Sequence, residues 1–336
     1  MRVLALVTAL LLLTGLAAPG AQIDADAINR ADWGGSAKDE ALLIKAQVLL
    51  DRAHFSPGEI DGRAGDNYAK ALGAFAQDRG LDGKRGLSEE IWRALAATSS
   101  DPVVIKYSLS DKDVDGPFLD KVPTKLDDMK GLSALSYGGP RERIAERFHM
   151  SEDLLLALNP GQKFDRKGDT IFVVQGADQI RRTKAAKLEI DKSAQTLRAF
   201  DKAGKLLAFF PITAGSAEKP APGGELKIRN VARNPTYRYN PDYEFKGVRS
   251  EEPFTIAAGP NNPVGLVWIG LPGEGYGIHG TPDPAKVGKT ESHGCIRLTN
   301  WDALQLAELV SKGTPVTFLG EDKARKKPSA RRRARR

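Results

Sequence analysis

Residues 278–300 read IHGTPDPAKVGKTESHGCIRLTN. This stretch holds the chain's single cysteine, Cys295, and two of its four histidines, His279 and His293. Cysteine is the ordinary side chain already partly ionised near neutral pH, and it is strongly nucleophilic once it becomes thiolate. A histidine is its natural partner, because the imidazole pKa lies near working pH. Gly294 lets the backbone turn tightly beside Cys295 and leaves room for a substrate. Backbone N–H groups at such a turn suit a developing oxyanion. A zinc site from His279, His293 and Cys295 is the competing chemistry. His293 and Cys295 are two residues apart, an awkward bite for tetrahedral zinc, and no Cys-x-x-Cys or His-x-x-x-His spacing supports it. The reading is therefore a cysteine nucleophile with no metal and no cofactor.

Around this stretch the pattern is alternating. Lys187–Asp191, Thr196–Phe200, Leu206–Thr213 and Leu226–Val231 read as strands, with turns at Asp191-Lys192 and Lys202–Gly204. Glycines and prolines crowd residues 259–289. A last helix runs from Trp301 to Ser311, with Asn300 where an N-cap is expected, and Val316–Leu319 closes the domain. Residues 184–320 are thus a mostly-β domain.

With His279 placed about a dozen residues before Ser292-His293-Gly294-Cys295, this domain resembles the L,D-transpeptidase (YkuD-type) catalytic domain. The resemblance extends upstream through Ala258–Gly265 and downstream through Asn300 and the last helix. It implies a peptidoglycan L,D-transpeptidase, an acyltransferase. Cys295 would attack the bond between a diaminopimelate-type third residue and the terminal D-alanine of a tetrapeptide stem. His279 would be the general base and acid, with the backbone of Gly280 orienting it. His293 would line the pocket and support the thiolate. Gly294 would supply an oxyanion N–H, and Arg297 would bind a substrate carboxylate, against a structural salt bridge as the alternative role. The resemblance also implies acylation of Cys295 by carbapenem-type β-lactams. The acyl-thioester can pass to a stem amine, a lipoprotein lysine, water or a free D-amino acid. That choice belongs to loops such as Asn234–Glu252. A hydrolase (an L,D-carboxypeptidase) and a catalytically silent wall-binding scaffold are the competing functions.

Two modules precede this domain. In 35–98, Ala41–Leu50, Tyr68–Gln77 and a short helix after Ser88 have apolar positions at helical spacing. The string GEIDGRAGDNYAKALGAFAQDRGLDG (58–83) resembles a peptidoglycan-binding-type three-helix module. In 101–178, LSYGGPRERIAERFHMSEDLLLALNPGQKFDRKGDTIFVV (135–174) resembles a LysM module, a strand–helix–helix–strand unit that binds glycan. Tyr137-Gly138-Gly139-Pro140 stands where that family has a glycine-Asp-Thr lead-in to its first helix. His54 and His149 read as loop and surface residues. The fold class is multidomain: a small all-α three-helix module, a LysM-like α/β module and a mostly-β catalytic domain.

The chain's 336 residues suffice for such an arrangement without disulfides. Its net charge of +7 sits wholly in 321–336, EDKARKKPSARRRARR, and the rest is neutral. Only these residues are cationic, and they read as a basic, solvated, disordered tail, with charge-based binding to an anionic polymer or lipid headgroups as the alternative, so no nucleic-acid partner is expected. Residues 1–21 begin with Arg2 and run through Leu10–Leu13 to small residues at Ala17–Ala21. They read as a cleaved signal peptide, with an uncleaved anchor as the alternative. Either way the bulk of the chain is expected outside the cytoplasm, in the periplasm or cell envelope. The partners expected are stem peptides and glycan, with an envelope lipoprotein as a further acceptor.

Overall fold

The computed structural model describes residues 23–177, 183–215, 220–243, 248–290 and 294–321. The leader 1–21, the tail after residue 321, and Ser292 and His293 lie outside the described residues.

The N-terminal part is helical. Helices α1 (Ala25–Arg30), α2 (Glu40–Arg52), α3 (Asp66–Asp78) and α4 (Glu89–Ala96) follow in order. Asp39 caps α2 by accepting the Leu42 N–H, and Ser88 caps α4 by accepting that of Ile91. The sequence reading anticipates α2, α3 and α4, while α1 precedes the expected module. Helix α2 is buried on nearly every side, from Leu42 to Asp51, because neighbours enclose it all round.

Strand β1 (Val104–Ser108) comes next, then the short helices α5 (Asp111–Val114) and α6 (Leu126–Met129), α7 (Pro140–Arg147), α8 (Glu152–Leu158) and strand β2 (Thr170–Val174). β1 and β2 pair antiparallel, Val104 opposite Val174. Asn159 ends α8 and pins it to β2: its amide donates to the carbonyls of Leu155 (2.9 Å) and Phe172 (2.7 Å) and accepts the Phe172 N–H (2.7 Å). Between β1 and α7 the chain makes a long excursion, residues 109–139, with little regular structure. One hydrophobic core runs from Ile28 through α2 and α3 to Ile144, Leu155 and Val173.

The remaining chain forms two five-stranded sheets. One has the order β5 (Leu206–Pro211), β4 (Thr196–Phe200), β3 (Lys187–Asp191), β14 (Pro315–Leu319), β7 (Gly224–Lys227). The other has β6 (Thr213–Ala214), β13 (Ile296–Arg297), β12 (Gly277–His279), β11 (Val267–Gly270), β8 (Asn230–Arg233). A separate hairpin pairs β9 (Tyr237–Tyr239) with β10 (Phe254–Ile256). The last helix, α9, spans Asn300–Leu309. The turn after β4 forms because the Asp201 carboxylate accepts the N–H groups of Ala203 and Lys205, both at 2.9 Å. A second core joins both sheets to α9 through Leu188, Phe210, Ile269, Ile296 and Leu306.

Four readings are corrected. Leu206–Thr213 is not one strand: β5 ends at Pro211, the Ile212 N–H donates to the Gln195 carbonyl, and β6 begins at Thr213 in the other sheet. Leu226–Val231 is two strands, β7 and β8, in different sheets. The break comes at Ile228, whose N–H donates to Thr314 and whose carbonyl accepts from Gly313 as the chain crosses between sheets. The N-cap of α9 is Thr299, which accepts the Asp302 N–H at 3.1 Å, and Asn300 is the helix's first residue. His149 is no surface residue: its Nδ1 lies 2.9 Å from Asp51 and its ring stacks on Trp301 at 5.3 Å.

The helical part docks directly on the sheets. The Ser56 N–H donates to the Phe209 carbonyl and Phe209 returns a bond to the half-buried His54, so His54 sits at this seam. Ser56 Oγ donates to Asp302 (2.9 Å), and Asn67 donates to the Val287 carbonyl (2.9 Å).

Candidate active site

His279 ends β12. The parallel register of β12 with β13 places it beside Arg297, and the Leu298 N–H donates to its carbonyl at 2.9 Å. Cys295 immediately precedes β13, so neighbouring strands bring the thiol and the imidazole into one cleft of about 990 Å³. Arg297 and Trp268 line it as well.

His279 is buried, 4% exposed. Its Nδ1 is 2.6 Å from the Gly280 carbonyl oxygen. A carbonyl only accepts, so Nδ1 carries the proton and Nε2 keeps its lone pair. The ring stacks on Trp268 of β11, with centroids 5.6 Å apart and planes 19° apart. Burial, and then the positive charge of Arg297, push the His279 pKa down to about 3, and the Gly280 bond offsets part of this. The imidazole is therefore neutral at ordinary pH, as a general base must be.

Gly280 has a steric reason to be glycine. A Cβ there would stand 2.3 Å from Oδ1 of Asn300. Asn300 is fully buried. It accepts the Leu266 N–H (3.0 Å) and donates to the Pro260 carbonyl (3.2 Å) and to Glu146 of α7 (2.9 Å). Tyr137 donates to the other oxygen of Glu146 at 2.8 Å. A middle-region carboxylate thus braces the residue that packs against the backbone holding His279.

Cys295 is partly exposed, and its thiol donates to the Gly275 carbonyl at 3.1 Å. Gly294 has φ +88°, in the left-handed region where a side chain is strained. Half-buried Arg297 has its pKa lowered by burial, with Cys295 and Asp283 nearby opposing that shift. Of the predicted site residues, the structure brings together Cys295, His279, Gly280, Gly294 and Arg297, and His293 lies outside the described residues. Among the described residues, no three His, Cys, Asp or Glu side chains meet in an arrangement suited to a metal ion.

Several lining residues escape sequence reasoning. Trp268 reaches the site only through the pairing of β11 with β12. Thr124, Lys125, Leu126 and Met129 form one wall of the cleft, although they belong to the excursion before α7. A second cleft, of about 580 Å³, adjoins the first and shares Thr124, Met129, Pro282 and Asp283 with it.

A family model for the L,D-transpeptidase catalytic domain (YkuD) matches residues 185–318. The putative L,D-transpeptidase YkuD of Bacillus licheniformis is 30% identical over 185 residues, covering 54% of this chain and 94% of that protein. The probable L,D-transpeptidase YbiS of Escherichia coli K12 is 30% identical over 186 residues, covering 54% of this chain and 60% of its own length. Among solved structures, an L,D-transpeptidase from Mycobacterium smegmatis is 19% identical, covering 46% of this chain and 64% of that one, with a TM-score of 0.33.

Proposed function

The chain belongs to the YkuD family of L,D-transpeptidases, and from that membership we propose that its cleft transfers peptidoglycan stem peptides through Cys295. One observation carries the assignment of roles: a buried, neutral His279, its Nδ1 fixed by Gly280, lines the same cleft as the lone thiol.

Sγ of Cys295 attacks the carbonyl carbon of the donor's L,D-peptide bond as its proton passes to Nε2 of His279. The carbonyl π pair moves onto oxygen, which the backbone N–H groups of Gly294 and Cys295 receive. The intermediate collapses, the C–N bond breaks, and His279 returns the proton to the departing D-alanine amine. An acyl-thioester remains. An acceptor amine then attacks it, His279 takes that amine's proton, the C–S bond breaks and the thiol is re-formed. Arg297 holds a donor carboxylate bidentately beside the reacting bond. The family resemblance assigns His293 the role of supporting the thiolate.

The rest of the chain suits wall work. The helical region 35–98 is a peptidoglycan-binding-like module, and β1, α7, α8 and β2 follow the strand–helix–helix–strand order of a LysM-like glycan binder. The leader-like residues 1–21 place the activity outside the cytoplasm. The acceptor is a neighbouring stem's amine, giving a 3-3 crosslink, or a lipoprotein lysine.

Intact-protein mass spectrometry tests this. Residues 22–336, wild type and Cys295→Ala, are incubated with a tetrapeptide muropeptide and, separately, with a carbapenem. An adduct on wild type alone is expected from each reagent, with crosslinked muropeptide as the turnover product. Tripeptide as the only product would make the protein an L,D-carboxypeptidase. No adduct on folded wild type would leave a binding scaffold.

A further inference from the structure

The excursion between β1 and α7 reaches across to the catalytic sheets and builds part of the active-site cleft. Leu135 of the excursion packs with Met129 against Tyr239, Phe254 and Ile256 of the β9–β10 hairpin in a small core separate from the other two. The segment is also tied down by hydrogen bonds at two points. The Asp127 carboxylate accepts the N–H groups of Arg249 (2.8 Å) and Ser250 (3.2 Å). The Leu135 N–H donates to the Ala258 carbonyl, and its own carbonyl accepts from Asn261, both at 2.9 Å. A Cβ at Gly259 would fall 2.1 Å from that Leu135 oxygen, so the close approach requires glycine. This wall is therefore fixed relative to Cys295.

The ionised lining of the cleft is lopsided. Among the described residues it holds Lys125, Arg238 and Arg297 against Asp283 alone. His279 is neutral. Lys125 and Arg238 are exposed to the cleft and make no ion pair among the described residues. A site with this balance favours an anionic peptide. A donor stem with a diaminopimelate-type third residue has carboxylates on both sides of the reaction: one on the D-alanine that leaves, one at the far end of the third residue's side chain. Arg297, two residues after Cys295 and lining the same cleft, serves the first.

We propose that Lys125, carried into the cleft by the excursion and held there by the Asp127 latch, binds the side-chain carboxylate of the donor's third residue and makes the middle region a specificity element of the transferase. This rests on the donor assignment above. It also accounts for Tyr137-Gly138-Gly139-Pro140 before α7: that lead-in is where the excursion returns to the module, and the Leu119 N–H bonds to the Tyr137 carbonyl at 2.9 Å.

The test compares wild type, Lys125→Gln and Lys125→Glu in the full chain. Two donors are used, a tetrapeptide stem and the same stem with only the diaminopimelate side-chain carboxylate amidated. Iodoacetamide, small and uncharged, reports on Cys295 itself. On the acidic donor, Lys125→Gln should raise KM about tenfold with kcat nearly unchanged, as loss of one charge-assisted hydrogen bond predicts. Lys125→Glu should raise KM further. On the amidated donor the three proteins should converge, and their alkylation rates should match throughout. Equal KM values on the acidic donor would overturn the proposal, and so would the same loss on both donors. If wild type formed no acyl-enzyme with either donor while iodoacetamide still alkylated Cys295, the donor assignment itself would fall, and this proposal with it.

Discussion

At the scale of single residues, the decisive feature is the protonation of His279. An imidazole that takes a proton from a thiol must start without one. Here burial and the Arg297 charge drive its pKa to about 3, and the Gly280 carbonyl fixes which nitrogen holds the remaining proton. His279 should thus stay in the neutral Nδ1–H tautomer from pH 8 down to about 4, observable in long-range ¹H–¹⁵N spectra of labelled imidazole. Arg297→Gln removes the opposing charge and should move the titration upward. A wild-type midpoint near the ordinary 6.5 would sink this account. The sign also bears on stability. The unfolded histidine binds its proton below 6.5 and the folded one only near 3, so this residue's contribution is complete above 6.5 and declines as pH falls toward 3. That these groups share one cleft was legible in the sequence because their grouping is local: thiol, histidine and glycine occur together in 278–300. Trp268 and Lys125 were not, since their place at the site depends on strand pairing and on a distant excursion that no periodicity marks.

Elements show the same division. Strands β3 and β4 coincide with their alternating runs, because each crosses one sheet and its turn residues are local. The run at 226–231 is equally β-rich but divides between two sheets, and the cause lies far away at Gly313 and Thr314. At α9 the sequence reading found the helix start and misassigned its first two residues. Thr299 does the capping, while Asn300 is turned inward to bridge α7 and the Gly280 backbone. Their substitutions should differ accordingly. Thr299→Ala loses one cap bond, about 1 kcal/mol. Asn300→Ala strands the half-buried Leu266 N–H and removes a partner from Glu146, which should cost about 2–4 kcal/mol. Urea unfolding of the two variants distinguishes them, and equal losses would show that Asn300 does not bridge.

Over the whole molecule, the three regions meet around buried ionisable groups beside α9. Asp51 of α2 and His149 form an ion pair: the partner's charge holds the aspartate below and the histidine above its ordinary pKa despite burial. Asp302 faces Ser56 and the Asp51 charge, and burial, reinforced by that charge, raises it to about 7. Burial likewise raises Glu146 to about 7, although Asn300 and Tyr137 donate to it. A raised carboxyl pKa means that the folded state holds the proton more tightly than the unfolded chain. Its contribution is then complete below the unfolded value near 4 and is lost as pH climbs to about 7. His149 acts in the same direction, complete below 6.5 and lost above its raised folded value. The junction of the N-terminal regions with the catalytic sheets should therefore loosen as pH rises from about 4 to about 7, with His149 adding to the loss above 6.5. His279 opposes this in the global stability, so the comparison must be between variants. Asp302→Asn and Glu146→Gln keep the shapes and remove the titrations. Their double variant should lose less Tm than wild type as pH rises from about 4 to about 7, with the difference set within that interval. Parallel Tm curves would mean that these carboxyl groups titrate normally and that the junction does not respond to pH through them.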